Sequence, residues 1–169
     1  MYLRKLKVKD AVPMLEWMHD EDVVKNLAAD FMNMTLESCM KFIETANADE
    51  SITLHRAICT DEDKYLGTIS LKNISGKDSN AEYAIVICSE AMGKGVSKFA
   101  TEEILKIAFN DLGLHKVYLY VKEQNIRARK FYDKVGFRTE GIFREHAKNK
   151  NGMYDDIVWM AVLDREFIK

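Results

Sequence analysis

Apolar and polar positions alternate over residues 5–9, where Leu6 and Val8 stand between Lys5, Lys7 and Lys9, and that period of two predicts a short strand. Asp10 then occupies a helix N-cap position before Ala11, Val12 and Pro13, and Met14, Leu15, Trp17 and Met18 continue a short helical face. Asp20, Glu21 and Asp22 open a polar connection toward Val23 and Val24. Thr35, with Glu37 and Ser38, starts a second helix carrying Leu36, Cys39, Met40 and Ile43 at helical spacing. From there the period changes. Residues 52–59 and 64–74 read as two strands joined by the acidic turn Asp61-Glu62-Asp63-Lys64. After a turn at Ser75-Gly76-Lys77-Asp78, residues 81–88 form a third strand, apolar along most of its length as a central strand buried on both faces should be. Gly93-Lys94-Gly95 opens a long helix in which Val96, Phe99, Ala100, Ile104, Ile107, Ala108 and Leu112 follow the 3.6 period up to Gly113. A strand at 116–121, a helix at 125–135 ended by Gly136, and strands at 137–147 and 153–163 around Lys148-Asn149-Lys150-Asn151-Gly152 complete the chain. The order β-α-α-β-β-β-α-β-α-β-β, with no repeat, low-complexity tract or linker, indicates one α/β domain over residues 1–169.

Composition narrows the class. At 169 residues with 47% hydrophobic and 31% charged, the chain can build its own core and lies outside the disordered range. A net charge of −2 excludes a histone-like nucleic-acid binder. Residues 1–90 carry 10 Lys and Arg against 16 Asp and Glu, net −6, whereas residues 91–169 carry 15 against 11, net +4. Cys39, Cys59 and Cys88 have neither the number nor the spacing of a disulfide framework or a cysteine zinc site, which suits a reducing cytoplasm. The four histidines share no HExxH spacing, so no metal is assigned. No stretch approaches the ~20 apolar residues of a membrane span, and the first residues lack the apolar run of a signal peptide. A cytoplasmic protein without a membrane partner is expected.

Glycines between a buried strand and a helix start let the backbone approach an anion, which the first helical N–H groups and the helix dipole then bind. Gly93-Lys94-Gly95 sits at such a junction, although a tight turn without a ligand has the same form. A P-loop would need glycine five positions before Gly93, where Cys88 stands, and serine or threonine after Lys94, where Gly95 stands. A dinucleotide fingerprint would need a third glycine where Lys98 stands, and should open the first βαβ unit.

Residues 81–87 followed by Gly93-Lys94-Gly95 resemble the acetyl-CoA-binding segment of the GNAT superfamily of N-acetyltransferases, whose Gln/Arg-x-x-Gly-x-Gly/Ala pattern falls on Met92, Gly95 and Ser97. Met92 and Ser97 depart from it. Asn125-x-x-Ala128-x-x-x-Tyr132-x-x-x-Gly136-Phe137 matches the family's helix and following strand at every marked position. Glu140-Gly141, Arg144-Glu145 and Tyr154-Asp155-Asp156 further resemble the branch with ribosomal-protein N-terminal, spermidine and amino-sugar acetyltransferases. The resemblance implies a single domain with a mixed, mostly antiparallel central sheet, splayed parallel strands and about four flanking helices. It implies acetyl-CoA as donor and a primary amine as acceptor: a small molecule such as an amino sugar, or alternatively a protein N-terminus. Nucleic acid is not needed, and assembly as a homodimer stays open.

Carried over by position, the backbone of Ile85, Val86 and Ile87 would hold the pantetheine arm and one N–H would hold the thioester oxygen. Met92, Gly93, Lys94, Gly95, Val96, Ser97 and Lys98 would wrap the pyrophosphate, with the two lysines as charge partners. Asn125, Ala128 and Arg129 would line the arm, although asparagine at that place is also a good N-cap. Tyr132 is the expected proton donor to the leaving thiolate, since thiols titrate at ~8.5 and tyrosine at ~10; beside Phe131 it equally suits plain core. Glu82 leads as the base, followed by His146, Glu145, Asp155 and Asp156. Trp17, His19, Asp20, Glu21, Asp22, Asp30 and Phe31, facing residues 145–154, would receive an ammonium acceptor. Ser70 and Asn73, where the spermidine enzymes carry acids, argue against a polyamine. A CoA-binding regulatory module without turnover is the alternative of another class.

Overall fold

The computed structural model describes residues 1–25, 27, 31–149 and 151–167, so Asp30 and Lys150 lie outside the described residues. The elements follow as β1 (Tyr2–Arg4), α1 (Ala11–Met18), α2 (Glu21–Val24), α3 (Leu36–Ala48), β2 (Leu54–Cys59), β3 (Tyr65–Ser75), β4 (Asn80–Ile87), α4 (Val96–Lys106), β5 (Lys116–Lys122), α5 (Ile126–Lys134), β6 (Arg138–Lys148) and β7 (Tyr154–Leu163). The strands form one seven-stranded sheet in the order β1-β2-β3-β4-β5-β7-β6.

Local chemistry explains most boundaries. Thr35 and Ser38 form a reciprocal cap, each backbone N–H donating to the other's hydroxyl, which starts α3 as the sequence predicts. The Asp20 carboxylate accepts from the Asp22 N–H and turns the expected polar connection into α2, a single turn, so five helices stand among the described residues where about four were expected.

The first strand is displaced from its predicted place. It spans Tyr2–Arg4 rather than 5–9, pairing Leu3 with Ile58, and Val8–Asp10 form a 3-10 turn. The cause is electrostatic. Asp10 does not cap α1 with its side chain; its carboxylate is buried, takes both Arg4 Nη atoms at 2.6 and 2.8 Å, and accepts from the Lys7 N–H at 2.8 Å. Lys7 and Lys9 alternate because both ammonium groups converge on Asp63, at 3.1 and 2.6 Å. Donors from Lys9, Arg4, Lys7 and Tyr2 hold the Asp63 carboxyl well below the usual carboxylate range.

Two cores lie on the two faces of the sheet. On one, α4 and α5 cover Ile69, Leu71, Tyr83, Val117, Leu119, Val158 and Met160 together with Phe137. On the other, α1 to α3 bury Ala57, Cys59, Tyr65 and Cys88, with Val86 packed beside them, and their cover ends at β4. Beyond that cover β5 alternates, with Val117, Leu119 and Val121 buried and Tyr118 and Tyr120 turned outward, so it is not the strand apolar on both sides that its composition suggests. β4 is likewise less buried than expected of a central strand, being half-exposed from Ala84 to Val86. The sheet opens there. Parallel pairing between β4 and β5 runs only through Asn80↔Lys116, Ala81↔Val117 and Glu82↔Tyr118. Past that point β4 stays on β3 as far as Gly67↔Ile87, and β5 stays on β7 as far as Lys122↔Ile157.

Gly67 lets β3 stay close on β4 beside this opening: a Cβ there would lie 2.3 Å from the Val86 carbonyl oxygen and 3.0 Å from the Ile87 Cα. Both contacts are backbone and cannot swing aside. Gly67→Ala should therefore lower unfolding free energy in urea by about 1–3 kcal/mol, as overpacking does.

Candidate active site

The gap between β4 and β5 has a glycine turn at one end. Gly93 and Gly95 adopt φ of 76° and 81°, a region open to glycine, and a Cβ at either would meet nothing within 4 Å. Space in front of the turn is thus free. Gly95 is the N-cap residue of α4 and its carbonyl accepts from Phe99, leaving the N–H groups of Val96, Ser97 and Lys98 at the helix start without intrahelical partners. Lys94 and Lys98 are exposed beside them, Lys98 lying 3.6 Å from Glu102. Val96 is buried, and the side chain of Met92 packs into both cores.

α5 borders the same gap. The Asn125 Oδ1 accepts from the Ala128 N–H at 3.2 Å, so the expected capping role is present, and it leaves the amide NH₂ without a partner among the described residues. Ala128 and Tyr132 pack on the larger core, and Arg129 donates to the Glu123 carbonyl at 3.1 Å. The Tyr132 ring meets Tyr83 edge-on at 5.9 Å, Phe137 at 5.9 Å and Phe131 at 5.4 Å. Its hydroxyl has no hydrogen-bond partner among the described residues, and burial pushes its pKa up to about 12. Tyr83 and Phe137, 5.4 Å apart, complete a three-ring cluster beneath the place where the strands part.

A family model described as an acetyltransferase (GNAT) domain matches residues 1–138. The chain belongs to the GNAT acetyltransferase family. A spermidine N(1)-acetyltransferase of Vibrio cholerae is 33% identical over 114 residues, 67% of this chain and 65% of that protein. An uncharacterized N-acetyltransferase of Bacillus subtilis is 25% identical over 167 residues, 99% of this chain and 95% of that one. A crystal structure of the Vibrio cholerae spermidine N-acetyltransferase in complex with CoA and spermine shares the fold, with a TM-score of 0.89 at 23% identity over 99% of this chain and 98% of that chain. The seven-stranded mixed sheet, with a single parallel pair among the described residues and its parting strands, is the GNAT arrangement that the two motifs implied.

On the opposite face of this GNAT sheet Glu82 stands at the last paired position before the gap, buried, with Lys72 Nζ at 2.5 Å from Oε1 and Asn73 Nδ2 at 2.8 Å from Oε2. Tyr132 and Glu82 therefore flank the opening from two sides. The other candidate bases are occupied otherwise. Asp155 is buried against Asn149 and Lys122, both at 3.0 Å, and these lower its pKa. Asp156 accepts from the Glu145 N–H at 2.7 Å, which Glu145 reaches with a left-handed φ of 52°. His146 packs on Phe143, and with Glu145 and Asp156 they line an open hollow of about 680 Å³ along β6.

The residues expected to receive the acceptor from the first helices mostly serve the fold. Trp17 is buried, donates to the Tyr65 hydroxyl at 3.1 Å and meets Phe31 edge-on. Asp20 caps α2, and Asp22 pairs with Lys25 at 2.8 Å. The aromatic wall lies elsewhere: Tyr118 and Tyr120 stack on Trp159 at 4.8 and 5.9 Å, with Phe143 edge-on to Trp159 at 5.7 Å. A signal for it was present in the alternation of tyrosines with Val117, Leu119 and Val121.

The Tyr132 titration is a direct check on this geometry. The wild-type minus Tyr132→Phe absorbance difference should show no phenolate at pH ~10, the ordinary midpoint. Because the folded state holds the proton more tightly than the unfolded one, this tyrosine's contribution to stability is complete below the ordinary midpoint and is lost as pH rises toward about 12.

Proposed function

We propose that this GNAT chain is an acetyl-CoA-dependent N-acetyltransferase of one domain that acts on a small primary amine. One observation carries the reading: the gap between β4 and β5 joins the glycine turn at one end to Glu82 and Tyr132 at the other. The residues present fit the donor. The free space before Gly93 and Gly95 and the α4 N–H groups suit a pyrophosphate, with Lys94 and Lys98 as charge partners. The open edge of β4 over Ile85, Val86 and Ile87 offers backbone groups to an amide-bearing arm, and the free Asn125 amide and Ala128 line its other side; Arg129, tied to the Glu123 carbonyl, braces the helix start.

Bound there, acetyl-CoA supplies an activated acyl group. The chain's residues do the rest. Glu82 keeps lone pairs beyond those used by Lys72 and Asn73, and accepts the proton that the nitrogen of a neutral amine must lose as its bond to the acyl carbon forms. A β4 N–H at the opening donates to oxygen as negative charge gathers on it. Tyr132 would face the leaving sulfur. Burial makes Tyr132 hold its proton more tightly than an ordinary phenol, so it would act by donating a hydrogen bond to the sulfur as negative charge gathers there. The free, buried Cys39, Cys59 and Cys88 suit a reducing cytoplasm, and no helix of the described residues is long and apolar enough to cross a membrane.

Thiol release from acetyl-CoA across a panel of amines tests the reading. Tyr132→Phe should bind acetyl-CoA as the wild type does and lose about 10²-fold in kcat. Unchanged turnover overturns the role of Tyr132. Thermal protection by acetyl-CoA with no thiol released by any amine would instead identify a CoA-binding module.

A further inference from the structure

Lys72 enters no family motif and has no role of its own in the scheme above, yet it is the residue bound most closely to Glu82. The two stand directly opposite on β3 and β4, Lys72 Nζ lies 2.5 Å from Glu82 Oε1, and the carboxylate side chain is only 8% exposed. Asn73, in a left-handed backbone conformation at φ 51°, folds back so that its amide closes on the other oxygen at 2.8 Å. Across the parallel pair Glu82 adjoins Tyr118, and its charge, after burial, raises the pKa of Tyr118 and of Tyr120. From these tyrosines the stack continues through Trp159 to Phe143, with Tyr120 and Phe143 each 46% exposed on a face that α1 to α3 leave uncovered.

Resting on the reading of this face as the acceptor side, we propose that Lys72 determines acceptor specificity: its ammonium fills the counter-ion position at Glu82, so that the site takes a monoamine with a flat or apolar body and rejects polyamines. The pair, a buried carboxylate with a partly exposed ammonium, is neutral overall. A neutral amine, the form that attacks, enters such a place without having to displace a charge, and its body lies on the aromatic row. A second ammonium would meet Lys72 with its one carboxylate already paired, and like charges brought together disfavour binding. The spermidine relatives are named for a polyamine, so the proposal sets the acceptor of this chain apart from theirs.

The test compares spermidine with 2-phenylethylamine in the wild type, Lys72→Met and Lys72→Arg, with melting temperature followed in each. The wild type should favour 2-phenylethylamine in kcat/KM. Lys72→Met should shift the ratio toward spermidine about tenfold or more, and Lys72→Arg, which keeps the charge, should retain the wild-type ratio. Wild-type preference for spermidine overturns the proposal, as does a parallel loss on both amines in Lys72→Met. If the wild type turns over neither amine, the enzyme reading has failed separately, and spermidine-induced thermal shifts then decide the role of Lys72. A larger shift in Lys72→Met than in the wild type supports the proposal, and equal shifts overturn it.

Discussion

The parting of β4 from β5 after Glu82 and Tyr118 is the constraint on which the rest of this structure depends. Backbone N–H and C=O groups in a sheet interior are normally paired, and leaving them open costs free energy unless something else supplies partners. Here each strand keeps its outer antiparallel neighbour, β3 for β4 and β7 for β5, so only the inner edges are unsatisfied. The opening is thereby confined to a slot, lined by donors and acceptors, in an otherwise continuous sheet. A slot of that kind suits an extended ligand with its own amides.

Several features keep the slot open. Tyr83, Tyr132 and Phe137 pack as mutual edge-on and tilted rings beneath it, and Phe137 is fully buried, so the strands cannot close without displacing aromatic volume. Gly67 lets β3 follow β4 where any side chain would strike the Val86 carbonyl. Met92 packs into both cores where the chain leaves β4 for the glycine turn. At the far edge the Arg4, Asp10 and Asp63 network ties β1 to the turn between β2 and β3. Its carboxylates are acceptors for five separate donors, and arrangements this dense fix geometry more surely than they add net stability.

Most elements were legible in the sequence because their signals are local: the Thr35 and Ser38 cap, the Gly113 and Gly136 stops, and the alternations that mark strands. The family motif on α5 was legible for the same reason, since asparagine, alanine and tyrosine occupy fixed turns of one helix. What escaped is non-local. The first strand was misplaced because Lys5, Lys7 and Lys9 mimic a strand face while two of them converge on Asp63, 54 and more residues away. The acids near α2 looked like an ammonium site because nothing in their spacing shows that they cap and pair with their own neighbours. Lys72 opposite Glu82 depends on the register of β3 on β4, which hydrophobic pattern alone does not set across a bulge.

The departures at Met92 and Ser97 from the family pattern have a structural account in the same terms. An anion at a glycine turn is held chiefly by backbone N–H groups, and these require positive φ at Gly93 and Gly95 rather than any particular side chain at 92 or 97. Ser97 contributes through its carbonyl, which accepts the Thr101 hydroxyl proton at 2.7 Å. Thr101 has only that one proton to give, so in its 2.7 Å contact with Tyr83 the tyrosine must be the donor. The Tyr83 ring, oriented by this bond, meets Tyr132 edge-on. The first turn of α4 is thus connected through Thr101 and Tyr83 to the phenol at the other end of the slot, and the residue that departs from the motif sits at the head of that chain.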